Sequence, residues 1–121
     1  MDDLNADVKK LHVLISAARA MGALVEVYAR LVDMAALMIA DGKKEEAASV
    51  LAYIMHQPEV PYDVYDRADD LWIELEAEIC PRVITDARAD ATFMTLRGII
   101  ERAFGLYLPP GDDTDAPAST Q

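Results

Sequence analysis

A single cysteine, Cys80, is all the thiol chemistry this sequence holds. That rules out an intramolecular disulfide and a cysteine-built zinc site, and it suits a reducing cytosol. Basic residues are scarce: 11 Lys and Arg stand against 22 Asp and Glu, a net charge of −11. Proteins that hold nucleic acid neutralise phosphates with Lys and Arg. DNA, RNA and anionic membranes are therefore expected to repel this chain, while its long-range field favours a basic partner. Long apolar runs are missing as well. The longest apolar stretch, Leu24 to Ala40, is broken by Glu26, Arg30 and Asp33 and falls short of the ~20 clean residues a membrane span needs. The opening Met1-Asp2-Asp3 has neither the basic start nor the apolar stretch of a signal peptide, so a cytoplasmic location is expected.

The motifs of the commoner chemistries are absent too. No Gly-x-x-x-x-Gly-Lys-Ser/Thr loop occurs. His12 and His56 lie 44 residues apart, and neither belongs to a Glu-x-x-His pattern, so the signature of a di-iron bundle is missing. His12 reads as a helix-surface residue and His56 as a helix C-terminal one, where positive charge suits the dipole. Cys80 has no His or Asp near it in sequence and reads as small, buried and inert. No catalytic residue, cofactor site or metal site is expected, and the chain is read as a non-enzyme.

What is present is helix. Ala, Leu, Glu and Arg dominate, and no window alternates as a strand would. Hydrophobic residues make up 53% of 121 residues, enough for one globular domain. The spacing predicts helices over 5–21, 23–40, 43–56, 61–79, 81–89 and 91–104. Asn5 is expected to cap the first. Gly22 breaks the chain after it. The second is apolar on most of its circumference, with Glu26, Arg30 and Asp33 on one narrow stripe, so it should sit in the middle of the fold or in an interface. Gly42 ends it as a left-handed cap. Ala47, Val50, Leu51 and Ile54 form the core face of the third helix, which Gln57-Pro58 stops. Pro61 suits the first position of the fourth, whose apolar stripe is Val64, Ala68, Leu71, Trp72, Leu75 and Ile79. Between Glu59 and Glu78 stand eight acids and one arginine, a net of −7, so most of the excess charge sits on one helix. Pro81 opens a short fifth helix. In the sixth, Phe93, Leu96, Ile99, Ile100 and Phe104 should face inward. Residues 1–108 form the predicted domain, and 109–121 read as an acidic, unstructured tail.

Leu24 to Pro58 has the layout of a two-helix repeat unit. Leu31, Met34, Ala35 and Met38 fall at large and small packing positions of its first helix, and Ala47, Leu51 and Ile54 at those of its second. Gly42 takes the turn and Pro58 ends the unit. This resembles the tetratricopeptide class, with its period of about 34 residues. Ala17-Ala18-Arg19-Ala20-Met21-Gly22 resembles the end of a preceding repeat. The run from Asp41 to Ala52, followed by His56-Gln57-Pro58, is similar to the final unit of repeat arrays in large bacterial ATPase and transcriptional regulators. So are the helix around Ala68 to Glu78, Pro81, the short helix to Ala89 and one last amphipathic helix. The resemblance covers about Asp7 to Phe104. It implies an all-α fold of antiparallel helical hairpins, tetratricopeptide-like, with five to six helices. Those relatives carry nucleotide-binding or DNA-binding domains that this chain lacks, so neither activity is carried over.

The resemblance implies a non-catalytic protein-interaction module, a small adaptor or regulatory subunit. In such units the first helix lines the binding face. Its outward positions here, Ala29, Val32, Ala36 and Ile39, are all apolar and should be covered by the last helix, by a second copy in a homodimer or by a protein partner. Asp63, Asp66, Asp69, Asp70 and Glu74 form the acidic counterpart, a solvated face that can dock a Lys/Arg-rich partner. A straight helix cannot wrap six oxygens around calcium. Trp72 reads as core. Two alternatives stand beside this reading. One is an acidic inhibitor that mimics nucleic acid to block a basic protein. The other is a small helical enzyme or ligand-binding protein, with Tyr28, Met34, Met38 and Trp72 lining a cavity.

Overall fold

Two glycines organise the first half of the molecule. The computed structural model describes residues 2–108 and folds them into α1 (Asp2–Ala20), α2 (Leu24–Ala40), α3 (Lys44–His56), α4 (Tyr62–Glu76), α5 (Pro81–Ala91) and α6 (Leu96–Phe104). No strand occurs among the described residues, so the expected all-α class holds. The predicted tail, 109–121, lies outside the described residues. Gly22 and Gly42 take φ of 72° and 84°, a region closed to most side chains by the clash of Cβ with the backbone. Each closes its helix in the same way. Ala23 N–H donates to the Ala18 carbonyl at 2.8 Å and Gly22 N–H to that of Arg19 at 3.1 Å. Lys43 N–H donates to Met38 at 2.8 Å and Gly42 N–H to Ile39 at 3.0 Å. These paired bonds satisfy the last carbonyls of the helix and reverse the chain within three residues. α1 and α2, then α2 and α3, therefore pack as antiparallel hairpins.

The second half is built around α3, which packs on α2, α4, α5 and α6. α4 and α5 are consecutive in sequence, yet each packs mainly on α3 rather than on the other. The sequence put α2 in the middle of the fold or in an interface. α2 has three packing neighbours, α1, α3 and α4, and the helix with the most is α3. Its seven buried residues are Ala47, Ala48, Val50, Leu51, Ala52, Tyr53 and Ile54. Three are alanines, and short side chains let backbones approach from several sides. The seven packing positions of the repeat-like unit, Leu31, Met34, Ala35, Met38, Ala47, Leu51 and Ile54, are all 0% exposed. Buried positions among the described residues are apolar throughout.

Several helix ends differ from the sequence reading. α1 begins at Asp2, so Asn5 lies inside the helix and does not cap it. Pro61 is the N-cap of α4 rather than its first residue, and α4 stops at Glu76. α6 starts only at Leu96, because Thr95 Oγ1 accepts a hydrogen bond from Gly98 N–H at 3.0 Å and so sets the N-terminus. Phe93 is left in the preceding turn, 85% exposed rather than facing inward.

Two ion pairs join residues 34 positions apart. Arg67 of α4 pairs with Asp33 of α2, and Lys44 of α3 pairs with Glu78 at 2.7 Å. Exposed pairs of this kind contribute at most about 1 kcal/mol each. Geometrically, one ties α4 to α2 and the other ties the start of α3 to the segment after α4.

Candidate functional site

The outward stripe of α2 runs Glu26, Arg30, Asp33. Arg30 lies 3.4 Å from Glu26 and 3.1 Å from Asp33, and Asp33 also holds Arg67, so the chain of charges reaches α4. Beside it, a groove of about 320 Å³ runs between α1 and α2. Leu11, Leu14, Ala36 and Leu37 supply its apolar surface, and Asp7 and Lys10 of α1 with Arg30 and Asp33 of α2 complete its lining.

Of the four outward apolar residues, expected to be covered by the last helix, a second copy or a partner, Val32 is fully enclosed. The cover at this position comes from within the chain, and α6 is not among the main neighbours of α2. α2 has neighbours on three sides, and one chain covers the position without any second molecule. Ala29, Ala36 and Ile39 are half-buried, and Ala36 reaches the groove. The acidic residues behave differently. Asp63, Asp66, Asp70 and Glu74 are exposed and Asp69 is half-buried, so α4 presents a continuous negative face. Further apolar surface stands at the α1–α2 turn, where Met21, Leu24 and Val25 are 78%, 40% and 53% exposed.

Two phenols tie distant segments together. Tyr28 Oη donates to Glu59 Oε2 at 2.7 Å, joining α2 to the loop before α4. Tyr107 Oη donates to Asp41 Oδ2 at 3.0 Å, bringing the segment after α6 onto the α2–α3 turn. Burial first, and then the bond to the carboxylate, push both phenols above their ordinary value of 10.0, Tyr107 up to about 12 and Tyr28 further. Burial and Glu59 also raise Tyr53. The neutral phenol is the form the fold favours. Its stabilisation is complete below pH ~10, where the unfolded chain is also protonated, and is lost as pH rises through the folded values. Denaturant unfolding between pH 8 and pH 12 should therefore show stability falling above pH ~10. In Tyr28→Phe that fall should be smaller, with about 0.5–1.5 kcal/mol already missing at neutral pH.

His12 is half-buried, with its ring 5.1 Å from that of Phe104 in an edge-to-face arrangement, so it is a packing residue between α1 and α6 rather than a surface one. His56 is exposed in the last turn of α3, where the sequence placed it. Cys80 is exposed rather than buried, because it is the extended residue that caps α5 at the surface. Tyr28, Met34 and Met38 do not line a shared cavity with Trp72: they fill the core at 0–2% exposure.

Trp72, itself 3% exposed, borders a cavity of about 290 Å³ between α3, α4 and α5, with Met55, His56, Tyr65 and Arg88. The Arg88 guanidinium carbon stands 5.2 Å from the centre of the indole ring, within reach of a cation–π attraction. Its Nη2 lies 3.5 Å from Glu76. The indole Nε1 is buried and has no hydrogen-bond partner. The sequence did not single out Tyr65 or Arg88. The one available signal was the seven-residue spacing of Tyr65 and Trp72, which puts both on one face of α4. A further cavity, of about 230 Å³, is dominated by Glu45, Glu46, Asp86 and Asp90. No cluster of three or more His, Cys, Asp or Glu with metal-holding geometry occurs among the described residues, and no helix there is long and apolar enough to cross a membrane. Comparison with protein-family models, with curated proteins and with solved structures finds no match for this chain.

Proposed function

We propose that this chain is a non-catalytic, tetratricopeptide-like interaction module, a small adaptor or regulatory subunit that binds another protein. The observation that carries the reading is the offset of 34 residues between Asp33 and Arg67, and again between Lys44 and Glu78. Both separations equal the period of that repeat class, and α2 and α3 form one antiparallel hairpin of its two-helix kind. The step from repeat to protein binding is an analogy of fold; the surfaces give it physical content. The groove between α1 and α2 offers apolar area flanked by both signs of charge, a lining able to take an extended or helical segment. The acidic face of α4 steers a basic partner, raising the association rate more than the final affinity. The apolar surface around Met21, Leu24 and Val25 supports self-association as a homodimer. The same reading places the module in the cytoplasm, in keeping with one unpaired, exposed thiol.

The test is affinity purification from the native host with three forms of the chain. The wild type should retain a protein partner. Ala36→Arg, which fills the groove, should release it. The triple reversal Asp66→Lys, Asp70→Lys, Glu74→Lys should slow association by about tenfold or more at low salt, with little difference at high salt. Retention unchanged in both variants, or no protein retained by the wild type, would overturn the proposal. Light scattering on the purified chain addresses the dimer separately; a monomer at high concentration would remove that part.

A further inference from the structure

The cavity beside Trp72 differs chemically from the rest of the molecule. The chain carries 22 acidic side chains, and the groove and the acidic cavity both include carboxylates in their linings. The lining of the Trp72 cavity includes none; its ionisable side chains are Arg88, His56 and the Tyr65 phenol. In a protein of net charge −11, these walls hold a cation and no carboxylate, the partner Glu76 standing outside the lining.

One donor borders the cavity with a weak partner, and another lies buried in its wall. Trp72 Nε1 is buried without an acceptor, a costly state for an N–H group and one that native structures rarely leave unexplained. Arg88 has five N–H donors, and its ion pair is a 3.5 Å approach to Glu76 with both side chains largely exposed. That is a weak partner for a group suited to bidentate binding of a carboxylate. The remaining walls are apolar or aromatic: Ala52, Met55, Tyr65 and the indole itself. At about 290 Å³ the space lies at the small end of the range for ligand cavities.

We propose that this cavity binds a small molecule bearing a carboxylate on an apolar or aromatic body. The carboxylate takes the Arg88 guanidinium, displacing the exposed approach to Glu76. The body of the ligand packs against Tyr65, Met55 and Ala52. Arg88 stands over the indole in the free protein and moves aside as the ligand enters, which its exposed position allows. This site is separate from the α1–α2 groove and from the acidic face of α4, so it stands or falls independently of the protein-binding reading.

Trp72 is the only tryptophan in the sequence, so a nitrogen-15 correlation spectrum of the full chain contains one indole N–H signal. Titration with 2-naphthoate should move that signal in a saturable way, because the bound aromatic ring lies beside the indole. The neutral analogue 2-naphthamide should bind about tenfold more weakly or worse. Arg88→Gln, a change at an exposed side chain, should weaken 2-naphthoate binding by about tenfold, a factor equivalent to about 1.4 kcal/mol. The proposal is overturned if 2-naphthoate produces no saturable shift at low-millimolar concentration. It is equally overturned if 2-naphthamide binds as tightly, or if Arg88→Gln binds 2-naphthoate unchanged.

Discussion

Replacing Leu51 by alanine should cost about 2–5 kcal/mol, the usual range for emptying a buried leucine site. Leu51 is 0% exposed and lies in the helix that touches four others, so the vacated volume cannot be filled by movement of one neighbour alone. Small domains have only about 5–15 kcal/mol of stability in total, so the variant should melt roughly 10 °C or more below the wild type. Thermal unfolding followed by circular dichroism measures this. Val13→Ala provides the comparison, because Val13 is 65% exposed on α1; it should stay within about 0.5 kcal/mol of the wild type. Equal losses in the two variants would contradict the central position of α3.

Ala48→Leu should destabilise through the opposite fault. Ala48 is 0% exposed, and the added atoms have no free volume to enter. Overpacking of this kind costs about 1–3 kcal/mol and forces neighbouring helices apart. The same substitution at Ala89, which is exposed on α5, should be close to neutral, since alanine and leucine have similar helix propensity. Chemical denaturation separates the outcomes: the Ala48 variant should lose midpoint concentration and the Ala89 variant should not. If Ala48→Leu left stability unchanged, the account of α3 as a helix narrowed for close approach would fail.

Much of this architecture was legible in the chain because its punctuation is chemical. Gly22 and Gly42 mark turns where φ must be positive, and Pro58 and Pro81 mark boundaries that backbone geometry imposes. The repeat-like spacing from Leu31 to Ile54 singled out seven positions, and all seven are enclosed. What stayed hidden depends on neighbours remote in sequence. That Val32 needs cover is legible, but what covers it shows only once α2 gains partners on three sides. α3 is less apolar than α2, so its central place shows only once the small size of Ala47, Ala48 and Ala52 is read as an invitation to close packing. Phe93 was misplaced because the cap at Thr95 resets the start of α6 by several residues. The Trp72 cavity was unreadable because three separate helices supply its walls. Its Arg88 reads in sequence as one more solvated charge on a short helix.

The hairpin turns and the two aromatic ties also impose an order of events on a growing chain. α1, α2 and α3 are joined by three-residue connections, so each can pack on its predecessor soon after it is made, by contacts that close only short loops. The meeting of His12 with Phe104 and of Asp41 with Tyr107 spans most of the described sequence and has to wait for α6. Until then the face of α3 that receives α6 stays open to water. A nascent chain halted before Phe104 would hold its early hairpins and expose that face, the kind of uncovered apolar surface on which chaperones act.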